Sequence, residues 1–517
     1  MLVSHEEINF CAPVHRRDGR NELIDFFNLT DSLNVTWMHA TNNPEKLQEG
    51  LTGDTYMMLE ADVLTKHNLP NGEPIMAHPP ATESNLTLAK FLEQTLYSSK
   101  GIKLDFKTME AVEPSLKLLL NMTNGRKIKI PIWINADILP GPCYTPSECK
   151  PVDAYRFLNL CLRYAPNFTL SIGWVTQFNP TYYYNWSSVI PMGQLLVNTT
   201  QPVTFPIRYS LIARSLDQLE WLMDLSETYT MTIWSSETDE VNPKALAALR
   251  MDLITDRRRI YYDLPSDQMK NFLKELKTYE KKETDQLLHV IKVNWQGFAP
   301  VGCKSVLIGQ SSIMFTEHGG WASTDKDNNP LNLRVTHYTK HIILRTTVLF
   351  IDENQIGISQ NISFILHVPS IAKNKESFDP SSGTQAILQS NGNFSLTTPS
   401  GAVSSASVSP SNTYEIMLTD VGDGRVIFEV KALGVEGNKL NMISVHTKDP
   451  KYFYTVIGTL PQAGAVLVKK LQMTFAEAMP QSGTSCLLFN NSLLVLLLAL
   501  IIIYLLSFFS TGKCATV

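Results

Sequence analysis

From residue 34 to about residue 280 the chain alternates, eight times over, between a short apolar run of strand character and an amphipathic run of helical character. The strand-like runs are VTWMHA (35–40), TYMMLEADV (55–63), GIKLDFK (101–107), IKIPIWINAD (128–137), FTLSIGWV (168–175), VTFPIRYS (203–210), YTMTIWS (229–235) and RIYYDLP (259–265). Between them, LAKFLEQTL, VDAYRFLNLCLRYA, LDQLEWLMDL and PKALAALRMDL place apolar residues three and four apart, the spacing of one helix face. Strands separated by helices pair in parallel, because each helix carries the chain back to the edge where the next strand begins. Eight such units in about 250 residues predict an α/β fold, a closed (β/α)8 barrel of TIM type over residues 1–292. An open doubly wound sheet is the alternative, since strand order is not written in a single sequence.

After about residue 293 helical periodicity stops. HIILRTTVLFI, NISFILHV, YEIMLTDV, GRVIFEVKAL, NMISVHTK and FYTVIGTL are strand-like and are separated by Gly, Ser, Asn and Pro. They predict an antiparallel β-sandwich over 293–460, with the Ser-, Gly- and Thr-rich stretch 379–413 as a flexible loop. A stalk over 461–486 then leads to an uncharged apolar segment at 487–509, whose core reads LLVLLLALIIIYLLSFF. That length and composition predict one transmembrane helix, with residues 510–517 as a short cytosolic tail. The small residues Ser482, Gly483, Thr484 and Ser485 keep a glycolipid anchor open as the alternative.

The opening residues MLVSHEEINF lack the basic and apolar regions of a signal peptide, which alone would describe a tail-anchored protein. Against this, Asn28, Asn34, Asn85, Asn121, Asn167, Asn185, Asn198, Asn361 and Asn393 each begin an Asn-x-Ser/Thr triplet, more than the asparagine content would give by chance. A signal peptide absent from this sequence reconciles the two. The expectation is a single-pass plasma-membrane glycoprotein with extracellular N-terminal domains, anchored by its C-terminal segment and meeting other cell-surface or extracellular proteins. Cys143, Cys149 and Cys161 cluster without metal-site spacing, and two of the three are expected to pair in an oxidising compartment. A net charge of −5 and a densest basic run of only Arg257, Arg258 and Arg259, read as a solvated helix end, exclude nucleic acid as a partner.

In an eight-fold barrel the functional side chains stand at the C-terminal ends of the strands. Polar residues collect there: His39, Glu60 and Asp62, then Lys103, Asp105 and Lys107, then Asn135 and Asp137, and later Arg208, Trp234 and Asp263, with His78 in the loop after the second strand. Period-two spacing puts Glu60 with Asp62, and Lys103 with Asp105 and Lys107, on shared faces. Charges converging on a barrel interior need a metal, a ligand or a tight ion network. Glu60, Asp62 and Asp105 are hard oxygen ligands suited to Mg2+ or Ca2+. His39 and His78 have the side-chain pKa for acid/base catalysis, and Lys107 can neutralise an anionic substrate. Lys103, Asn135, Asp137, Arg208 and Trp234 are the candidates for substrate binding.

His39, Glu60-x-Asp62, His78 and Asp105-x-Lys107 together resemble the barrel phosphodiesterases of the glycerophosphodiester and sphingomyelinase D type. That resemblance implies two catalytic His and a carboxylate set for Mg2+ or Ca2+. More specifically, TWMHATNN, LEADVLT, MAHPP, GIKLDFK and IWINADILPGP resemble the menorin family over about residues 30–290. Ala-Thr-Asn follows His39 here, where the phosphodiesterases carry Arg-Gly, and the Asp62 to His78 spacing is longer. The resemblance implies a cell-surface protein acting in adhesion or developmental, neurite-patterning signalling, with a vestigial metal site. The alternative is a metal-dependent phosphodiesterase acting on a phospholipid or other phosphodiester.

Overall fold

The structure, a computed structural model, describes residues 22–477 apart from 125–127, 144–148, 255, 280–294, 299–304, 325–339, 353–359, 369–379, 422–423, 437–438, 448–453, 461 and 463. Its first unit contains the strands β1 (Trp37–Met38), β2 (Met58–Thr65), β3 (Pro74–Met76), β4 (Gly101–Phe106), β5 (Ile132–Pro140), β6 (Thr169–Val175), β7 (Val203–Arg208), β8 (Thr230–Trp234) and β9 (Ile260–Asp263). The helices are α1 (Glu22–Phe26), α2 (Pro44–Thr52), α3 (Leu88–Thr95), α4 (Met109–Thr123), α5 (Ala154–Tyr164), α6 (Trp186–Leu196), α7 (Leu216–Asp224), α8 (Pro243–Ala248) and α9 (Ser266–Thr278). Five of them begin at a side chain that accepts a first-turn amide: Asn43, Thr87, Asp153, Asn185 and Asn242. These caps set where each strand-to-helix loop ends, and so where the barrel mouth lies.

The strands run β1-β2-β4-β5-β6-β7-β8-β9, with every neighbour parallel. Strand order that follows chain order has no reversal point, so the doubly wound alternative is set aside. The barrel is nearly closed. Between β1 and β9 the seam is held by side chains: Ser32 Oγ donates to the carbonyls of Arg257 and Ile260, and His39 faces Asp263. The first strand is shorter than its apolar run suggested. β3 was not foreseen; it returns antiparallel along the end of β2, pairing Met76 with Val63. At the opposite end Leu23, Ile24, Val35, Met58, Trp133 and Tyr261 form a buried apolar plug. Arg259, expected in solvent, donates there to the carbonyls of Met223, Ser226 and Tyr229, a helix and loop that the sequence run does not reveal.

The second unit has two seven-stranded antiparallel sheets. One runs Trp295–Phe298, Gly320–Thr324, Tyr454–Thr459, Asn361–Val368, Thr384–Gln389, Asn393–Thr397 and Val403–Ser407. The other runs Val306–Ile308, Ile313–Phe315, Ala465–Glu477, Lys340–Ile351, Thr413–Asp420, Arg425–Ala432 and Asn441–His446. Phe364, Leu388 and Phe394 of the first and Leu344, Ile416 and Phe428 of the second share one buried cluster. Two expectations are corrected here. The Ser- and Thr-rich stretch 379–413 holds three paired strands, because apolar residues still alternate through it and Gly392 and Gly401 adopt positive φ at its turns. Half of the expected stalk is the strand Ala465–Glu477, which pairs with Lys340–Ile351. The apolar segment 487–509 and the tail 510–517 lie outside the described residues, among which no helix is long and apolar enough to cross a membrane.

The two units meet along α7. Lys469 pairs with Asp217 at 2.6 Å, and the Asp224 carboxylate accepts from the Ser311 amide and the Ser311 and Ser312 hydroxyls. Leu307, Met314, Ile351, Ala465 and Leu467 join the barrel's apolar cluster.

Candidate functional site

At the mouth, Glu60 and Asp62 project from β2 and Asp105 from β4, and the register sets Asp62 beside Asp105. One carboxylate oxygen from each of the three lies within 4.8 Å of the others. Glu60 is fully buried and Asp62 nearly so. Each carboxylate has a fixed partner. Glu60 Oε2 accepts from the Ala40 amide at 2.7 Å, which Ala40 presents by adopting φ +54. Asp62 Oδ2 accepts from Asn42 Nδ2 at 2.6 Å, while its amide donates back to Asn42 Oδ1. Asp105 Oδ1 accepts from Asn135 Nδ2 at 2.6 Å, and Asn135 is held in turn by the Ser171 hydroxyl. Glu60 Oε1 is buried and has no hydrogen-bond partner among the described residues.

Cations balance this cluster. Lys107 Nζ stands 2.9 Å from Asp62 Oδ1 and 2.7 Å from Asp105 Oδ2. Burial opposes its charge, but Asp105, Asp62 and Glu60 outweigh burial and hold it well above the usual lysine range. The same pairing, against burial, holds Asp105 below the usual carboxylate range. Burial pushes Glu60 up, opposed by His39. His39 Nδ1 lies 3.4 Å from Glu60 and 3.2 Å from Asp263. Glu60 first, and then the Asp263 contact, raise His39 to about 9. Lys103 is buried on the same face of β4 as Asp105, and its charge acts on both Glu60 and Asp105. Asp137, further along β5, is raised to about 7 by burial and then by Asp105. A Cβ on the facing Gly173 would stand 3.0 Å from its Oδ1, so glycine leaves that carboxylate its room.

Two expected members are placed differently. His78 is exposed, with Nδ1 2.7 Å from the Pro79 carbonyl, and no hydrogen bond or ion pair joins it to the three carboxylates. Arg208 makes a two-point pair with Asp239, at 2.8 and 2.6 Å, and its guanidinium lies 5.2 Å from the Trp234 ring centroid. That pairing occupies the guanidinium edge an anionic ligand would need. Sequence reasoning missed Asn42, Ala40, Ser171 and Asp239. Only Asn42 had a signal, as a polar residue two positions past the first strand-like run. Beyond β5, Cys143 and Cys149 form a disulfide, and Cys161, in the last turn of α5, is a buried free thiol.

The carboxylate set fits a hard divalent cation. Their mutual span suits oxygen ligands at about 2.0–2.6 Å from one ion, and the unpartnered Glu60 Oε1 is an atom that an ion would satisfy. Lys107 now holds two of the three.

The Menorin N-terminal domain family matches residues 31–269. Human Protein FAM151B is 39% identical over 246 residues, which are 47% of this chain and 86% of that protein. Among solved structures, the galactose complex of lectin UEA-II overlaps 35% of this chain and 86% of its own at 8% identity and TM-score 0.23. The VIP36 exoplasmic/lumenal domain bound to Ca2+/Man3GlcNAc overlaps 36% and 88% at 12% identity and TM-score 0.25. Overlaps at such scores carry no argument about this chain. By its barrel sequence and the identity it shares with that human protein, the chain belongs to the menorin family.

Proposed function

We propose that this menorin-family chain is a cell-surface recognition protein whose barrel mouth binds a divalent cation, Mg2+ or Ca2+, together with an anionic ligand. The proposal places it at the plasma membrane, where its apolar C-terminal segment would tether it for adhesion or developmental signalling. One observation carries the site: three carboxylates converge while one buried oxygen of Glu60 has no partner. A bound cation would neutralise these carboxylates and polarise a phosphoryl oxygen. Around it, Asn42 and Asn135 fix the orientations of Asp62 and Asp105, and the Ala40 amide fixes Glu60. Lys107, partly exposed between Asp62 and Asp105, is the cation best placed to meet a phosphate group. Recognition is favoured over turnover because His78 faces the Pro79 carbonyl and solvent rather than the carboxylates.

Phosphodiester hydrolysis is the second reading, favoured by His39 standing 3.4 Å from Glu60. Full-length protein stripped with chelator and then titrated with Mg2+ or Ca2+ tests the site. Its melting temperature should climb with ion concentration. No rise with either ion, and no metal in protein purified without chelator, would sink the proposal. Hydrolysis of a phosphodiester that His39→Ala abolishes while keeping the metal response would put the second reading first.

A further inference from the structure

We infer that the closed end of the barrel is a glycan-bearing face, leaving the mouth as the face kept clear for ligands. The inference rests on the chain passing through the secretory pathway, as the proposed cell-surface placement requires. The sorting comes from topology. In a β/α barrel, helix-to-strand connections lie at the closed end and strand-to-helix connections at the mouth. Five Asn-x-Ser/Thr asparagines fall at the closed end. Asn28 follows α1, which contributes Leu23 and Ile24 to the plug. Asn34 stands just ahead of β1, two residues after Ser32, whose hydroxyl bonds the start of β9. Asn121 is in the last turn of α4, Asn167 between α5 and β6, and Asn198 between α6 and β7. All five are exposed.

The mouth carries two, and they differ. Asn85 is exposed in the connection from β3 to α3. Asn185 is half-buried, and its Oδ1 accepts from the Ser188 amide and from the Ser187 and Ser188 hydroxyls as the cap of α6. The remaining two, Asn361 and Asn393, begin strands of the second unit. A glycan is a bulky, solvated group that excludes docking from the surface it covers. Carbohydrate on Asn28, Asn34, Asn121, Asn167 and Asn198 would surround the end of the barrel closed by the apolar plug. The ionic mouth would meet solvent with Asn85 at its rim. The disulfide between Cys143 and Cys149 is an independent sign of an oxidising lumen.

The test is site-by-site occupancy in the full chain, secreted behind a cleavable signal peptide. Free thiols are alkylated first. The glycans are then removed by peptide N-glycosidase in heavy-oxygen water, and each former site is read as labelled Asp by mass spectrometry. The expected result is majority occupancy at the five closed-end asparagines, the lowest occupancy at Asn185, and Cys143 and Cys149 protected from alkylation. Asn85 and Asn185 modified while the closed-end positions stay bare overturns the sorting, and an intact disulfide in that sample leaves the secretory placement standing. No modified asparagine together with alkylated Cys143 and Cys149 overturns both.

Discussion

Met58, Trp133 and Tyr261 stand at the starts of β2, β5 and β9, and two residues further along each strand come Glu60, Asn135 and Asp263. The same strands therefore build an apolar end and an ionic end. At the closed end the Trp133 ring lies 5.4 Å from Trp37 and 5.3 Å from Tyr261, and Leu23, Ile24 and Val35 complete the plug. Burial of apolar surface there is favourable in any arrangement that excludes water. At the mouth, burial is unfavourable until each charge has a partner, so Asn42, Asn135, Ser171, Lys107 and His39 are required where they are. A hole is the costly defect at the closed end and a lost charge partner is the costly defect at the mouth, so substitutions at the two ends should fail in different ways.

The largest effect is expected at the closed end. Trp133→Ala removes the ring between Trp37 and Tyr261 and should cost about 3–5 kcal/mol in denaturant unfolding, whether or not a divalent ion is present. A loss that Mg2+ or Ca2+ repairs would break the contrast, because it would couple the plug to the mouth.

Next is Lys107→Met. Removing the ammonium between Asp62 and Asp105 should cost about 2 kcal/mol in chelated protein, less than a fully buried pair because a quarter of the Lys107 side chain reaches solvent. The same variant should gain more from added Mg2+ or Ca2+ than the parent does, since the ion no longer competes with an internal cation. Equal melting shifts in the two proteins would show that Lys107 and the ion do not share the site.

Ala40→Gly should stabilise by about 1 kcal/mol, because Ala40 sits at φ +54, where glycine has no Cβ penalty. A stability loss in denaturant titration would mean that the Ala40 side chain, and not only its amide, supports Glu60.

The smallest effect expected is the pH dependence, in which both ends lose stability as pH rises, through two different pH windows. His39 is raised from 6.5 to about 9, so in metal-free protein its contribution is fully present below about 6.5 and is lost as pH rises through about 9. The ring is 62% exposed, so solvent screening keeps this contribution small. Glu22, under the plug, is raised from 4.5 to about 7 by burial, which the Thr169 hydroxyl only partly offsets. The native state holds that proton more tightly than the unfolded chain, so stability falls as pH rises from about 4.5 to 7. Asp137 at the mouth adds to the same lower arm. Unfolding midpoints from pH 4 to about 9.5 should show both arms, with Glu22→Gln flattening part of the lower and His39→Gln the upper. An upper arm unchanged in His39→Gln would remove that ring from the network.

Much of this was legible in the sequence, for a local reason. Strand and helix periods record which residues share a face, so eight β/α units, the change to antiparallel strands after residue 293, and the grouping of Glu60 with Asp62 and Asp105 with Lys107 could be read from spacing. The sequence also supplied the five blocks that resemble menorins. The tertiary structure decided what lies across a gap. It made Lys107, rather than Lys103, the ammonium between Asp62 and Asp105, and it gave Arg208 to Asp239, thirty-one residues on. It also drew β3 back along β2 and left His78 at the Pro79 carbonyl instead of at the carboxylates. Periodicity fixes the direction of a side chain from its own backbone, but the Coulomb and hydrogen-bond terms that choose its partner depend on distances set only when the barrel closes.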